Sequence, residues 1–454
     1  MSEINPSLSI SEPQPIGVNA AQKFGLAIFA VGMLALLIAA FGFGEDYPRI
    51  LFALSFGLGI IGALIYIIQK YKGVSEGVKN NHIWLNSLTN RGVFAWTLGI
   101  AITGLYLLIY WHDNLQMLNG VIRMLDPFSH LLTGGAANQW FLYGTLYTVA
   151  ILVMGFKAIL KYRHSNYQII RTASIMFFQL GFAFLLPNLL KLFHQPEFYF
   201  TYFWPLKQQY LFPSTVQDLM SHSGGLGTFM VFWGGVMTFI ATPVLTYFYG
   251  KRWYCSWVCG CGGLANTAGD QWRHLSDKSL KAWKIERITI HSVLVLIVIT
   301  TALLWINSWQ QGAVLGNVSQ AFSEWYGLYI GMVFSGVVGV GFYPIMGTRV
   351  WCRFGCPMAA ILGFQQKYFS RFRITTNGGQ CISCGNCSTY CEMGIDVRWY
   401  AQRGQNIVRS SCVGCGMCST VCPRGVLNLE NGPMKDKISD NPILIGNDGV
   451  TLKI

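Results

Sequence analysis

Thirteen cysteines are gathered in the C-terminal half of the chain, none before Cys255 and ten after residue 350. Cys381, Cys384, Cys387 and Cys391 are spaced C-x2-C-x2-C-x3-C, and Cys412, Cys415, Cys418 and Cys422 repeat that spacing, with Pro423 after the last. Thiolates at every third position can wrap one face of an iron–sulfur cubane, and in two-cluster runs of this kind the fourth cysteine ligates the other cluster. The spacing therefore predicts two [4Fe–4S] clusters, one on Cys381, Cys384, Cys387 and Cys422 and one on Cys412, Cys415, Cys418 and Cys391. Gly385, Gly414 and Gly416 would let the backbone approach the sulfides. Structural zinc also uses paired C-x2-C units, but two identical four-cysteine runs with a terminal Cys-Pro weigh against it. One position departs from the pattern: Cys391 is followed by Glu392 where a proline belongs, and about twenty residues lie between it and Cys412.

A second constellation stands upstream. Gly250-Lys-Arg252-Trp-Tyr-Cys255-Ser-Trp-Val-Cys259 and Gly347-Thr-Arg349-Val-Trp-Cys352-Arg-Phe-Gly-Cys356 align in their glycine, arginine and both cysteines, forming an internal repeat. Thiols at i and i+4 share one helix face, so two such segments can bring four thiols to one place. Arg252 and Arg349 would favour thiolate and hold a negatively charged group by charge and hydrogen bonds. Three readings stay open: a third metal centre close to the membrane surface on Cys255, Cys259, Cys352 and Cys356; a redox dithiol or transient metal site; and buried cysteine beside snorkelling arginine. Cys261 has no counterpart in the second copy.

The elements that must carry these cysteines are apolar. Of 454 residues 52% are hydrophobic and only 11% charged, well below the quarter usual in soluble domains, so lipid is the expected surround. Eight runs are long enough to span a bilayer: Phe24–Phe43, Ile50–Gln69, Val93–Trp111, Gln139–Leu160, Thr172–Phe193, Gly225–Tyr249, Ile288–Trp309 and Tyr326–Met346. The segments after the second, fourth and sixth runs and their flanks hold fifteen Lys and Arg, the opposite segments four (Arg49, Arg123, Lys191 and Lys207). That bias predicts that both termini and every cysteine are cytoplasmic, a reducing compartment suited to metal thiolates. It also makes the net charge of +13 a report of topology, with no nucleic acid expected. The predicted fold is an all-α polytopic membrane bundle of about eight helices followed by an α+β bacterial 2[4Fe–4S] ferredoxin-like domain. Its expected divisions are a disordered lead at 1–23, five spans with two long outer loops at 24–224, a repeated transmembrane core at 225–373, the ferredoxin domain at 374–430 and a tail with a hairpin at 431–454. The aromatic outer segments, 112–138 and 194–224, read either as an interfacial belt or as a lining for a lipid-soluble quinone. His112, His130, His194 and His222 stand there as weak proton acceptors for a quinol, and His291 lies alone within a span. No nucleotide-binding or nucleophile-elbow motif stands in a supporting context.

The two C-x3-C motifs at membrane helix ends, followed by tandem ferredoxin runs, resemble the NapH/NosR/CcoG class of membrane polyferredoxins, over roughly Gly225–Gly425. In that class both pairs read C-x3-C-P; Cys356-Pro357 fits, whereas Cys259 is followed by Gly260. The resemblance, closest to a NapH-like core with extra spans in front, implies a protein of the bacterial inner membrane. It implies electrons moving between the quinone pool, iron–sulfur clusters and other subunits of a redox complex or a metalloenzyme. A copper reductase or assembly factor working through the C-x3-C thiols is the alternative; a mere structural anchor would not require eight correctly spaced thiolates.

Overall fold

The structure is a computed structural model that describes residues 18–44, 46–72, 91–221, 225–313, 315–434, 437, 443–445 and 450–452. Residues 1–17 of the expected disordered lead lie outside the described residues, and from Ala20 the chain is already helical. Seven helices among them are long and apolar enough to cross a membrane: α1 (Ala20–Ala40), α2 (Pro48–Tyr71), α3 (Val93–Tyr110), α4 (Gln139–Lys161), α5 (Asn166–Leu192), α6 (Leu226–Tyr249) and α7 (Leu280–Trp309). Each coincides with one of the first seven predicted runs. Their outward-facing apolar side chains, such as Phe232 and Phe239 on α6, are what a lipid-facing surface requires.

The eighth run is different, and an uninterrupted apolar helix over Tyr326–Met346 does not form. The chain winds from Val318 through Val338, leaves the helix, and resumes for one turn at Tyr343–Met346. Glycines explain the break. A Cβ on Gly341 would stand 2.3 Å from Thr103 Oγ1, and one on Gly336 2.2 Å from the Tyr110 hydroxyl, so the run is pressed against α3 too closely for regular side chains. Both of its ends are tied to other helices. At one end Asn307 of α7 bonds Ser319 at 3.0 Å; at the other, Arg91 beside the start of α3 donates to the Ile345 carbonyl at 2.7 Å.

Close approach also fixes the first two helices. Asn19 caps α1 and exchanges hydrogen bonds with Gln22, a capping box. Gly25 and Gly32 of α1 face Gly62 and Gly59 of α2, and a Cβ on Gly62 would come within 2.5 Å of the Phe29 amide nitrogen. Small residues of this kind let membrane helices pack backbone to backbone.

After the eighth run come α8 (Pro357–Tyr368) and the iron–sulfur region. Strand β1 (Phe372–Thr376) pairs antiparallel with β2 (Leu427–Asn431), from Phe372 opposite Asn431 to Thr376 opposite Leu427. This ladder joins the two ends of the region containing both cysteine runs. Beyond it, Ile443–Ile445 pairs antiparallel with Val450–Leu452.

Candidate iron–sulfur and membrane-thiol sites

The two ferredoxin runs adopt one local structure twice. Gly385 and Gly416, at φ +80° and +71°, each start a single helical turn, Asn386–Thr389 and Met417–Thr420. The Cys391 and Cys422 amides then return to Ser388 and Ser419, each at 3.2 Å, and Gly394 and Gly425 turn the chain away with positive φ. The effect is to send the last cysteine of each run across to the other. Cys381, Cys384, Cys387 and Cys422 line one cavity of about 360 Å³, open space at its mouth included. Cys391 instead lies within charge range of Cys412, Cys415 and Cys418. Burial pushes the free thiols of Cys387 and Cys412 up to about 12 and that of Cys391 to about 11. Binding a metal there would expel protons, because the ligand is the thiolate.

The membrane repeat is equally regular. Gly250 and Gly347 both take positive φ with ψ near 180° (+65°, −168° and +83°, 177°), a region only glycine visits readily. Each is followed by one short helix, Arg252–Cys255 or Val350–Phe354. The second cysteine then caps a new helix, Cys259 before Gly260–Asn266 and Cys356 before α8. Even the linking bond recurs: the Cys259 amide donates to the Tyr254 carbonyl at 2.8 Å, and the Cys356 amide to the Trp351 carbonyl at 3.0 Å. The copies clasp each other. Gly250 abuts Gln366 and Phe372, beyond the second copy, and Gly347 abuts Ser276, beyond the first. Cys255, Cys259, Cys352 and Cys356 fall in one buried core together with Cys387, Cys412 and Cys418. Among the described residues no His, Cys, Asp or Glu set closes on a single ion.

Two of the long helices stand against the segment that follows Cys259. Gly263 packs on Ile175 and Ile151, near the middle of α5 and α4. From segment 194–224, Phe203 joins the core of the four membrane cysteines, and Phe198 is buried in a separate cluster with Leu219 and Met230. Tyr254 donates to the Thr201 carbonyl at 2.9 Å. The Tyr147 and Tyr202 hydroxyls converge on Gln179 at 3.2 and 3.3 Å, directly over Gly260, where a Cβ would be 2.3 and 2.4 Å from them. That is the physical reason for glycine, not proline, after Cys259.

The two arginines of the repeat part company. Arg349 directs Nη1 to the Cys255 carbonyl at 3.0 Å and to Cys352 Sγ at 3.8 Å, and its Nε and Nη2 to Glu392 at 3.0 and 2.9 Å. Arg252 stacks over the Phe372 ring, 5.1 Å from its centroid, against Gly414. Glu392, the departure from the ferredoxin pattern, thus ties the iron–sulfur region to the membrane thiols. It also binds Arg273 at 2.9 Å; Arg273 binds Asp270 at 2.6 Å, and Asp270 binds Lys161 at 2.5 Å. Burial pushes the Glu392 carboxyl up, but Arg273 and Arg349 outweigh it and hold it below the ordinary value. With Arg171, bonded to Asn266 at 2.7 Å, four buried cations stand against two carboxylates, and Arg171 Nε has no hydrogen-bond partner among the described residues. Surplus buried positive charge beside clustered thiols is what bound anionic iron–sulfur thiolates would offset, so the residues present fit such groups.

Further contacts were not foreseen from spacing. Four consecutive carbonyls of the second run each accept from a side chain of the membrane region: Cys412 from Gln366 at 2.7 Å, Val413 from Ser256 at 2.7 Å, Gly414 from Tyr167 at 2.8 Å and Cys415 from Gln168 at 3.0 Å. Glu286 bonds Ser411 and pairs with Arg353 at 3.1 Å. The only available signal was polar residues interrupting or flanking apolar runs.

Comparison with known proteins supports this picture of the two regions. Residues 373–423 match the family described as a 4Fe-4S dicluster domain. Residues 231–280 and 329–376, the two copies of the membrane repeat, each match the family described as a 4Fe-4S binding domain. An uncharacterized protein of Methanocaldococcus jannaschii is 24% identical over 165 residues, 36% of this chain and 59% of that protein. A protein of Escherichia coli, YccM, titled as a proposed electron transport protein, is 28% identical over 167 residues, 32% of this chain and 43% of its own. The chain thus spans less than two thirds of either relative's length. No solved structure matches it. Together these findings support, at family level, a multi-pass, membrane-type polyferredoxin.

Proposed function

We propose that the chain is an integral-membrane electron-transfer protein, linking a lipid-soluble donor of the quinone pool to a redox partner, within a larger complex in the bacterial inner membrane. In this reading Cys381, Cys384, Cys387 and Cys422 hold one [4Fe–4S] cluster, Cys412, Cys415, Cys418 and Cys391 a second, and Cys255, Cys259, Cys352 and Cys356 a third. The eighth run counts as a span, and both termini face the cytoplasm. Bound at these cysteines, each cluster would take up and release one electron at a time.

The observation that carries the reading is continuity. Membrane thiols and ferredoxin thiols share one buried core, bridged by Arg349 and Glu392. Arg349, with its guanidinium against Cys352 and its carboxylate partner next to Cys391, stabilises negative charge at both sites and fixes their separation. Gln366, Ser256, Tyr167 and Gln168 hold the Cys412–Cys415 backbone still, which limits the rearrangement accompanying a change of charge. Tight packing around Cys255, Cys259, Cys352 and Cys356 keeps water from these four thiols.

The metal-handling alternative has one specific support: Cys261 packs against the core that holds Cys255, Cys259, Cys352 and Cys356, adding a fifth thiol to the membrane set. Anaerobic purification followed by reduction with a soluble quinol analogue separates the two. Electron transfer predicts reduced-cluster signals within the assay. Thiols that remain free and bind added copper, with no cluster signal from the membrane site, would favour metal handling.

A further inference from the structure

The two ferredoxin runs are alike in backbone but not in surroundings. The second is held to the membrane region through four successive carbonyls, and Cys412 and Cys418 are buried. The first run turns its cavity to solvent, and of the thirteen cysteines Cys384 alone is exposed. Its polar contacts stay within its own domain, as where Gln402 donates to Ser383 at 2.8 Å. Ile382, which lines the cavity, is 58% exposed, and Trp399, next in the chain to the cavity-lining Arg398, is 42% exposed. Arg398 and Arg424 line the mouth, and the Arg403 guanidinium lies 4.3 Å from the centre of the Trp399 ring. The acid on the adjoining loop, Asp396, is engaged by the Ser388 hydroxyl at 2.6 Å.

We propose that this face is the docking surface for a soluble one-electron redox protein with an acidic surface. Three arginines around an exposed Trp and Ile form the composition of an interface anchor with a steering rim. The apolar pair needs a partner large enough to cover it, which a small anion is not. The inference rests on the reading that Cys381, Cys384, Cys387 and Cys422 hold a cluster: with Cys384 at the surface, a docked protein's centre comes as near to that cluster as the fold allows. One electron then crosses between the two centres, one becoming oxidised by one unit and the other reduced by one, with no bond made and no proton moved. The second run, locked to the membrane region, serves the inner end of the path.

The test uses the full chain, anaerobically loaded, in nanodiscs. Binding is measured against two probes, an acidic plant-type [2Fe–2S] ferredoxin and, with opposite charge, a basic cytochrome c. The wild type is expected to bind the acidic probe and not the basic one, and more weakly as salt screens the contact. Arg398→Glu combined with Arg403→Glu, and separately Trp399→Ala, should each weaken that binding by about tenfold or more, with iron content and cluster spectra unchanged. Failure of the wild type to bind the acidic probe, equal binding of both probes, or variants that bind like wild type would overturn the docking surface while leaving the cluster reading intact. Absence of iron from the wild type would overturn both.

Discussion

Glu392 stands where the ferredoxin pattern has proline, and its carboxylate is shared by two buried guanidiniums, Arg273 and Arg349. A buried acid of this kind is indispensable once its partners are present, since removing one member of a buried ionic set leaves uncompensated charge and costs about 3–5 kcal/mol. Glu392→Ala should lower stability by that order, read as the loss of cluster absorbance on heating in detergent, and Glu392→Pro, which restores the pattern, should do no better. Neither partner was legible at the residue: Arg273 and Arg349 lie far from Glu392 in sequence, and no local pattern joins them. The cysteine spacing, by contrast, is local and needs no distant partner to be read. Cys422 lines the cavity of Cys381, Cys384 and Cys387, so Cys422→Ala should strip about four of the roughly eight irons of this domain, and the spectrum that remains should match that of Cys384→Ala. Matching the residue of Cys415→Ala instead would mean that each run keeps its own fourth ligand.

At the scale of elements, the membrane repeat depends on two backbone conformations that only glycine adopts without strain. Gly250→Ala and Gly347→Ala should each cost roughly 1–3 kcal/mol from backbone strain alone. The added methyl also meets Phe372 at 2.6 Å in the first case and the Ser276 amide nitrogen at 2.5 Å in the second. Paired thermal melts check this; equal tolerance of alanine at both positions would contradict the account of the turn. The repeat itself was visible in the sequence because glycine, arginine and cysteines recur at fixed offsets. Its surroundings were not, since they depend on Gly263 meeting Ile151 and Ile175 and on Tyr202 reaching Gln179. Apolar length located seven helices to within several residues, the largest extension being that of Leu280–Trp309 over its predicted start. It missed the break after Val338, which arises from glycines pressed against Thr103 and Tyr110 of another helix.

For the whole molecule, the charge bias and the membrane crossings make a joint claim about sidedness. A reporter fused after Ile454 should behave as cytoplasmic and one inserted near Gln208 as extracytoplasmic; both on one side would remove the eighth run as a span. The larger claim is that membrane thiols and ferredoxin thiols form one redox path through a shared core. It is tested most directly by a potentiometric titration of the anaerobically purified protein, followed by paramagnetic resonance together with iron and sulfide analysis. The account predicts about twelve irons with matching sulfide in three [4Fe–4S] centres, each reduced in a one-electron step, with Glu392→Gln shifting the midpoints of the second and membrane centres to more positive values as Arg349 and Arg273 lose their counter-charge. Stoichiometric zinc in place of iron, or iron that no potential reduces, would contradict it.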